Sequence, residues 1–365
     1  GEGRRRREEE KEEEEGRRRR ADGLRKRFIP MASLVRKLLF PAPDPPDYDD
    51  ESFPDDLIWV PQKDEKTGDT AYIPCIFLPF KGAKKLVLYC HGNGCDLGTI
   101  REELLRYRDH WEAHVLALEY PGYGLCHGIP DENSINNAIF SVYTYVTKEL
   151  RWPSQFLFLY GRSIGTGPAC KLVSTLQRKK QHVGGLILQC AYTSIKGVVN
   201  HAVGVMASAL VTERWRNIDE VKHIECPVLL IHGQKDSLIP YHHSETLYDE
   251  LKSQHKQLVI VAEANHNKFD EDEDIKKPIL NFITRASALM QKTIKYYKAR
   301  RNRRQRRESR QRQETKDAKD SDPKEANEKD PAISREGGGR NGVAEEAQAK
   351  FSELSLSRKN VKQRY

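Results

Sequence analysis

Between Leu57 and Glu263 the chain repeats one pattern, a short apolar run followed by a longer stretch with helical spacing. Eight runs stand out: LIWVP, AYIPCIFLPF, KLVLYC, HVLALEY, FLFLYG, GLILQC, PVLLIHG and QLVIVAE. After the first two, they lack the strict alternation of a strand with one wet face, so helices must cover both faces. Helical spacing occurs over 98–112, 132–150, 166–180, 243–254 and 273–298. Strands joined by helices of this length pair through crossovers, which predicts an α/β fold with a mostly parallel eight-stranded sheet. The segment 195–222 is longer than a bare crossover and is expected to form a small cap.

Charge divides the chain into three parts. Residues 1–30 alternate blocks of arginine and glutamate, with 12 basic and 9 acidic residues, a composition expected to stay disordered. Residues 292–313 hold 11 basic residues against Glu308 alone, and 314–365 balance 11 with 11. The body, 31–291, carries 28 basic and 33 acidic residues, so the net charge of +8 belongs to the tails. Its length suits one α/β domain, and 292–365 reads as a basic, then mixed-charge, disordered tail. No apolar run approaches the roughly 18–20 residues of a membrane span. No signal-peptide pattern opens the chain, so a cytoplasmic protein is expected. Seven cysteines, an odd number lying mostly inside apolar runs, point to core thiols rather than a disulfide framework or a metal site.

The turn YGRSIGTGPA, Tyr160 to Ala169, can serve a phosphate or a nucleophile. A Walker loop fails because no Gly-Lys follows, and a dinucleotide loop fails because its third glycine position is Cys170. Gly161-Arg162-Ser163-Ile164-Gly165 does fit G-x-S-x-G, between a strand and a helix as that motif requires. A serine at such a sharp turn needs glycines two positions to either side, where side chains would strike neighbouring elements.

A serine hydroxyl needs a base and a group to orient it, in the chain order Ser, Asp, His for this type of sheet. Asp236 follows PVLLIHG and His266 follows the final strand, so Ser163, Asp236 and His266 are the expected catalytic residues. His242 and His243 are the alternative bases, Asp219 and Glu220 the alternative acids. The oxyanion needs two N–H donors. Ile164 supplies one, and the loop His91-Gly92-Asn93-Gly94 supplies the other, from Asn93 or alternatively Gly94. His91 reads as a hydrogen-bonding organiser of that loop, and Gly92 as the residue that lets it pass close. Arg162 receives no role. No metal or organic cofactor is expected.

The motifs LLFPAPDPPDY, CHGNGCDLG, EYPGYG, YGRSIGTGPA, AYTSI, WRNIDEVKHIECPVLLIHGQKD and HN resemble the α/β-hydrolase superfamily. Within it they are most similar to the abhydrolase-domain family 17 protein depalmitoylases and their single-celled relatives, which are often catalogued as serine-aminopeptidase-like hydrolases. The resemblance spans about Ala32 to Ile283. It implies hydrolysis of long-chain acyl thioesters on protein cysteines. Carboxylesterase or lipase action on oxygen esters is the alternative, and a non-catalytic membrane- or nucleic-acid-binding scaffold is the alternative of another class. Those depalmitoylases carry an N-terminal cysteine cluster, whereas no cysteine precedes Cys75 here. Attachment at the inner face of a membrane would therefore fall to the amphipathic stretch Met31–Phe40 and to an anionic surface met by 292–313. Nucleic acid is the least favoured partner.

Overall fold

The computed structural model describes residues 31–63, 67–208 and 211–320. Residues 1–30 and 321–365, read above as charged tails, lie outside the described residues.

Eight strands form one sheet: β1 (Leu57–Lys63), β2 (Thr70–Leu78), β3 (Leu86–Cys90), β4 (His114–Leu118), β5 (Leu157–Arg162), β6 (Gly185–Gln189), β7 (Val228–Gly233) and β8 (Lys256–Val261). Their order is β1-β2-β4-β3-β5-β6-β7-β8. β2 is antiparallel to β1 and β4, and all remaining pairs are parallel. The helices are α1 (Met31–Leu39), α2 (Leu97–Trp111), α3 (Glu132–Thr144), α4 (Thr166–Arg178), α5 (Ile195–Ser208), α6 (Asn217–Glu220), α7 (His242–Glu250) and α8 (Lys277–Asp320).

The two sheet faces carry separate cores. On one, Leu86, Leu88 and Leu159 pack with Ile139 of α3 and Leu172 and Leu176 of α4. On the other, Val87, Tyr89 and Tyr160 meet Leu104 and Trp111 of α2 and Ile279 and Ile283 of α8. Alternate residues of each central strand thus bury on opposite sides, which is why those strands read as unbroken apolar runs. Local signals start the helices: Asp96 caps α2 and Asp131 caps α3, each in a reciprocal box with the residue three positions on. Asp96 also accepts from the Asp47 N–H at 2.8 Å, tying the segment before β1 to α2.

Helix ends differ from the sequence expectation. The 132–150 stretch is α3 followed by a π-helical turn, Tyr145–Glu149. Of 195–222, α5 bends at Gly204 (φ 81°), and the returning chain plants Trp215 against Phe40. The last helix begins after a π-helical turn, Glu271–Lys276, and continues for 44 residues through Asp320. The basic run 292–313 is therefore helical where an unstructured tail was expected. All seven cysteines are buried and unpaired. No described helix is long and apolar enough to cross a membrane.

Parallel register brings the strand ends into line. Cys90 pairs with Gly161, Arg162 with Gln189, and Gly233 with Val261. The loops that follow these residues all leave the same edge of the sheet.

Candidate active site

Ser163 sits where β5 turns into α4, with φ at 53°. A non-glycine residue in this left-handed region is strained, and it holds the side chain away from both flanking elements. The two motif glycines make the turn possible. A Cβ on Gly161 would lie 2.5 Å from the Gly165 carbonyl oxygen, and one on Gly165 would lie 2.7 Å from the His91 carbonyl oxygen. Gly167 has a different reason, since its Cβ would meet the Trp215 ring at 2.5 Å.

The structure brings Ser163, His266 and Asp236 together. Ser163 Oγ lies 3.0 Å from His266 Nε2, and His266 Nδ1 lies 2.7 Å from Asp236 Oδ2. These partners fix the tautomer: Nδ1–H donates to the carboxylate, leaving Nε2 to accept the serine proton. Burial alone would raise the Asp236 carboxyl, yet hydrogen bonds from His232, His266 and the Ile239 N–H hold it well below the carboxylate range. Asp236 Oδ1 takes the Leu238 and Ile239 N–H groups at 2.9 and 2.8 Å, so the acid is fixed by its own loop.

The alternative acids and bases are engaged elsewhere. Asp219 pairs with Arg216, and Glu220 with Lys171 and Arg178. His242 meets Glu245, and His243 Nδ1 meets the Thr193 hydroxyl at 2.9 Å.

The loop His91–Gly94 passes beside the serine: a Cβ on Gly92 would lie 3.9 Å from Ser163 Cβ. The Asn93 side chain shapes the loop, Nδ2 donating to the Leu39 carbonyl at 2.8 Å and Oδ1 accepting from Tyr123 at 2.6 Å. Among the described residues, neither the Asn93 nor the Ile164 N–H donates to a backbone acceptor outside the helices and strands. Gly94 takes φ 72°, which bends the loop back toward Pro41.

Three residues that received no role in the sequence support this geometry. Glu119, fully buried after β4, accepts from His91 Nε2 at 3.1 Å, Tyr48 at 3.0 Å, and the Leu97 N–H at 3.0 Å. His91 Nδ1 faces the Gly92 carbonyl at 2.9 Å. Both ring nitrogens thus meet acceptors. Burial disfavours the imidazolium, but hydrogen bonds to Cys95 and Glu119 push its pKa up to about 10. His232, buried in β7, stands 3.2 Å from Asp236 Oδ2 and 2.8 Å from the Ile239 carbonyl, bracing the acid from behind. Arg162 reaches Asn267 Oδ1 at 3.1 Å, linking the serine turn to the histidine loop. The signals for Glu119 and His232 are charged or polar residues inside the apolar runs HVLALEY and PVLLIHG.

Cys190 Sγ, an Asp236 carboxylate oxygen and a His266 nitrogen lie within 4.8 Å of one another. This set is a poor metal cage. Burial pushes the Cys190 thiol up, away from the thiolate a metal needs, and both Asp236 oxygens already accept protein hydrogen bonds.

A family model described as serine aminopeptidase, S33, matches residues 210–273, the stretch that holds Asp236 and His266. The chain is 25% identical over 215 residues to the Alpha/beta hydrolase domain-containing protein aho-3 of Caenorhabditis elegans, covering 59% of this chain and 62% of that protein. It is 28% identical over 194 residues to the zebrafish Lysophosphatidylserine lipase ABHD12, covering 49% of this chain and 50% of the lipase. The chain therefore spans half to under two thirds of these relatives. Among solved structures, an alpha-beta hydrolase from Vibrio vulnificus superposes with a TM-score of 0.55 at 16% identity, covering 72% and 94% of the two chains. The Pyrococcus furiosus esterase Pf2001 superposes with a TM-score of 0.52 at 14% identity, covering 65% and 95%. The fold is that of the α/β-hydrolases.

Proposed function

We propose that this member of the α/β-hydrolase superfamily is a serine hydrolase that removes long acyl chains held in thioester linkage to protein cysteines. The observation that carries the hydrolase reading is the continuous line of hydrogen bonds from Ser163 through His266 to Asp236 at a left-handed turn. Ser163 Oγ attacks the acyl carbonyl carbon while His266 Nε2 takes its proton. The tetrahedral oxyanion rests on the Asn93 and Ile164 N–H groups. Collapse breaks the carbon–sulfur bond, His266 returns the proton to the leaving thiolate, and water then releases the acid from Ser163 by the same route. Asp236 keeps the imidazole in its working tautomer and offsets its charge.

The thioester preference is supported by the quoted motifs that resemble the abhydrolase-domain family 17 depalmitoylases. A second reading, hydrolysis of oxygen esters of lipids, is favoured by the relatives whose names are lipases. Turnover of an S-palmitoyl cysteine peptide and of a lysophospholipid by wild type and Ser163→Ala separates the two. Faster, serine-dependent turnover of the peptide is the expected result; serine-dependent turnover of the lipid alone would overturn the substrate assignment.

A further inference from the structure

The exposed large hydrophobic residues among the described positions are Leu38, Ile129 and Leu238, at 80%, 56% and 48% exposure. They belong to separate elements, yet all three flank the serine edge of the sheet. Leu38 precedes Leu39, whose carbonyl takes the Asn93 side chain. Ile129 precedes Pro130, which packs on Gly122, next to the Tyr123 that also holds Asn93. Leu238 lies two residues past Asp236. Single exposed apolar residues are ordinary on a surface, but here every large hydrophobic exposed among the described residues lies on the serine edge, and that concentration marks the edge as a contact surface.

The basic run points elsewhere. α8 passes Gln257 and Val259 near its start, Phe156 and Lys85 midway, and Pro227 and His255 by Lys292. The last four precede β5, β3, β7 and β8, so Lys292 has reached the amino-terminal edge of the strands, opposite Ser163. At ~1.5 Å per residue, the helix then carries residues 292–320 farther from the site.

We infer that the serine edge is the face this protein lays on a lipid surface, with Leu38, Ile129 and Leu238 entering the interface, and that the basic part of α8 takes no share in that contact. A lipid surface fits better than a protein groove-binder because the apolar side chains stand singly on three separate elements and form no continuous groove. Arg36 and Lys37 adjoin Leu38 in a helix without an acidic residue, and exposed Lys268 adjoins His266, charges suited to anionic headgroups. The inference rests on the acyl-substrate reading above, since it delivers Ser163 to where acyl chains lie.

The test is flotation of the full chain with phosphatidylcholine vesicles containing an anionic phospholipid. Three proteins are compared: wild type, Leu38→Asp/Ile129→Asp, and a variant with Arg300, Arg303, Arg306 and Arg307 changed to Gln. Leu238 is left in place because its N–H holds Asp236. Turnover of a short water-soluble ester is measured alongside. The expected result is a drop of about tenfold or more in vesicle binding for the double variant, unchanged soluble turnover, and wild-type flotation for the arginine variant. Wild type that does not float, a double variant that floats equally, or loss confined to the arginine variant overturns it. So does a self-association of wild type that the double variant abolishes without any vesicle binding. Wild type inert toward every ester would instead sink the hydrolase reading, whatever the flotation shows.

Discussion

Replacing Glu119 by Gln removes the anion beneath the oxyanion loop while keeping the side chain's shape. In the folded protein Glu119 and His91 are both fully buried, and the pair is 3.1 Å apart. Removing one member of a buried pair costs ~3–5 kcal/mol, and ~1 kcal/mol is worth ~2–4 °C in a domain of this size, so melting should fall by roughly 10 °C at neutral pH. The pH dependence is more specific. The His91 pKa, about 10 when folded, stands above the ~6.5 of an unfolded chain. Its stabilising contribution is thus complete below about pH 6.5 and is lost as pH rises through about 10. Across that window wild type should lose ~1.4 kcal/mol per pH unit from this group, and the Gln variant should lose this component. Buried thiols such as Cys90 and Cys170, whose pKa values burial raises, add a slope of the same sign above ~8.5, but they do so in both proteins. Thermal unfolding of the two proteins from pH 6.5 to 8.5 isolates the difference. Melting temperatures that run parallel with pH, or a Gln variant as stable as wild type, would refute the charged pair.

Asp236→Asn should leave the fold intact and lower kcat by about 10,000-fold on a soluble ester, because the amide favours the wrong His266 tautomer; a loss under tenfold would remove Asp236 from the role given to it. Gly165→Ala places a Cβ 2.7 Å from the His91 carbonyl oxygen. Backbone must move, so a destabilisation of ~1–3 kcal/mol and at least a ~100-fold loss of kcat are expected from calorimetry and ester assays, whereas a wild-type rate would show that the turn is not tight. On acidification, the lowered Asp236 pKa contributes stability above ~3.9 that fades as pH falls toward its folded value. Asp236→Asn should therefore flatten the acid limb of the unfolding curve, and an unchanged limb would contradict the hydrogen bonds from His232 and His266.

The eight strands and the serine turn were legible because they depend on neighbours in sequence. Apolar runs mark strands covered on both faces, and Gly161 and Gly165 sit beside the residue they make room for. Asp236 and His266 were legible through chain order alone, since a sheet of this type delivers each successive loop to one edge. Glu119 and His232 showed only as a charged and a polar residue inside apolar runs: Glu119 finds its partner Tyr48 71 residues away, and nothing in HVLALEY says which groups its one acid meets. The length of α8 was hidden. Beyond residue 298 the helix is polar on every side, so there is no apolar stripe to carry the 3.6-residue signal. Arg162 carries no signal in its own stretch because its partner, Asn267, lies 105 residues on.

The central claim is that Ser163 is a nucleophile activated by His266. The most direct measurement is labelling of the folded protein by a fluorophosphonate probe, with the modified residue located by mass spectrometry of its peptides. One adduct on Ser163, absent from Ser163→Ala and strongly slowed in His266→Ala, is the expected result. Wild type that takes no label, or an adduct that persists in Ser163→Ala, would contradict it.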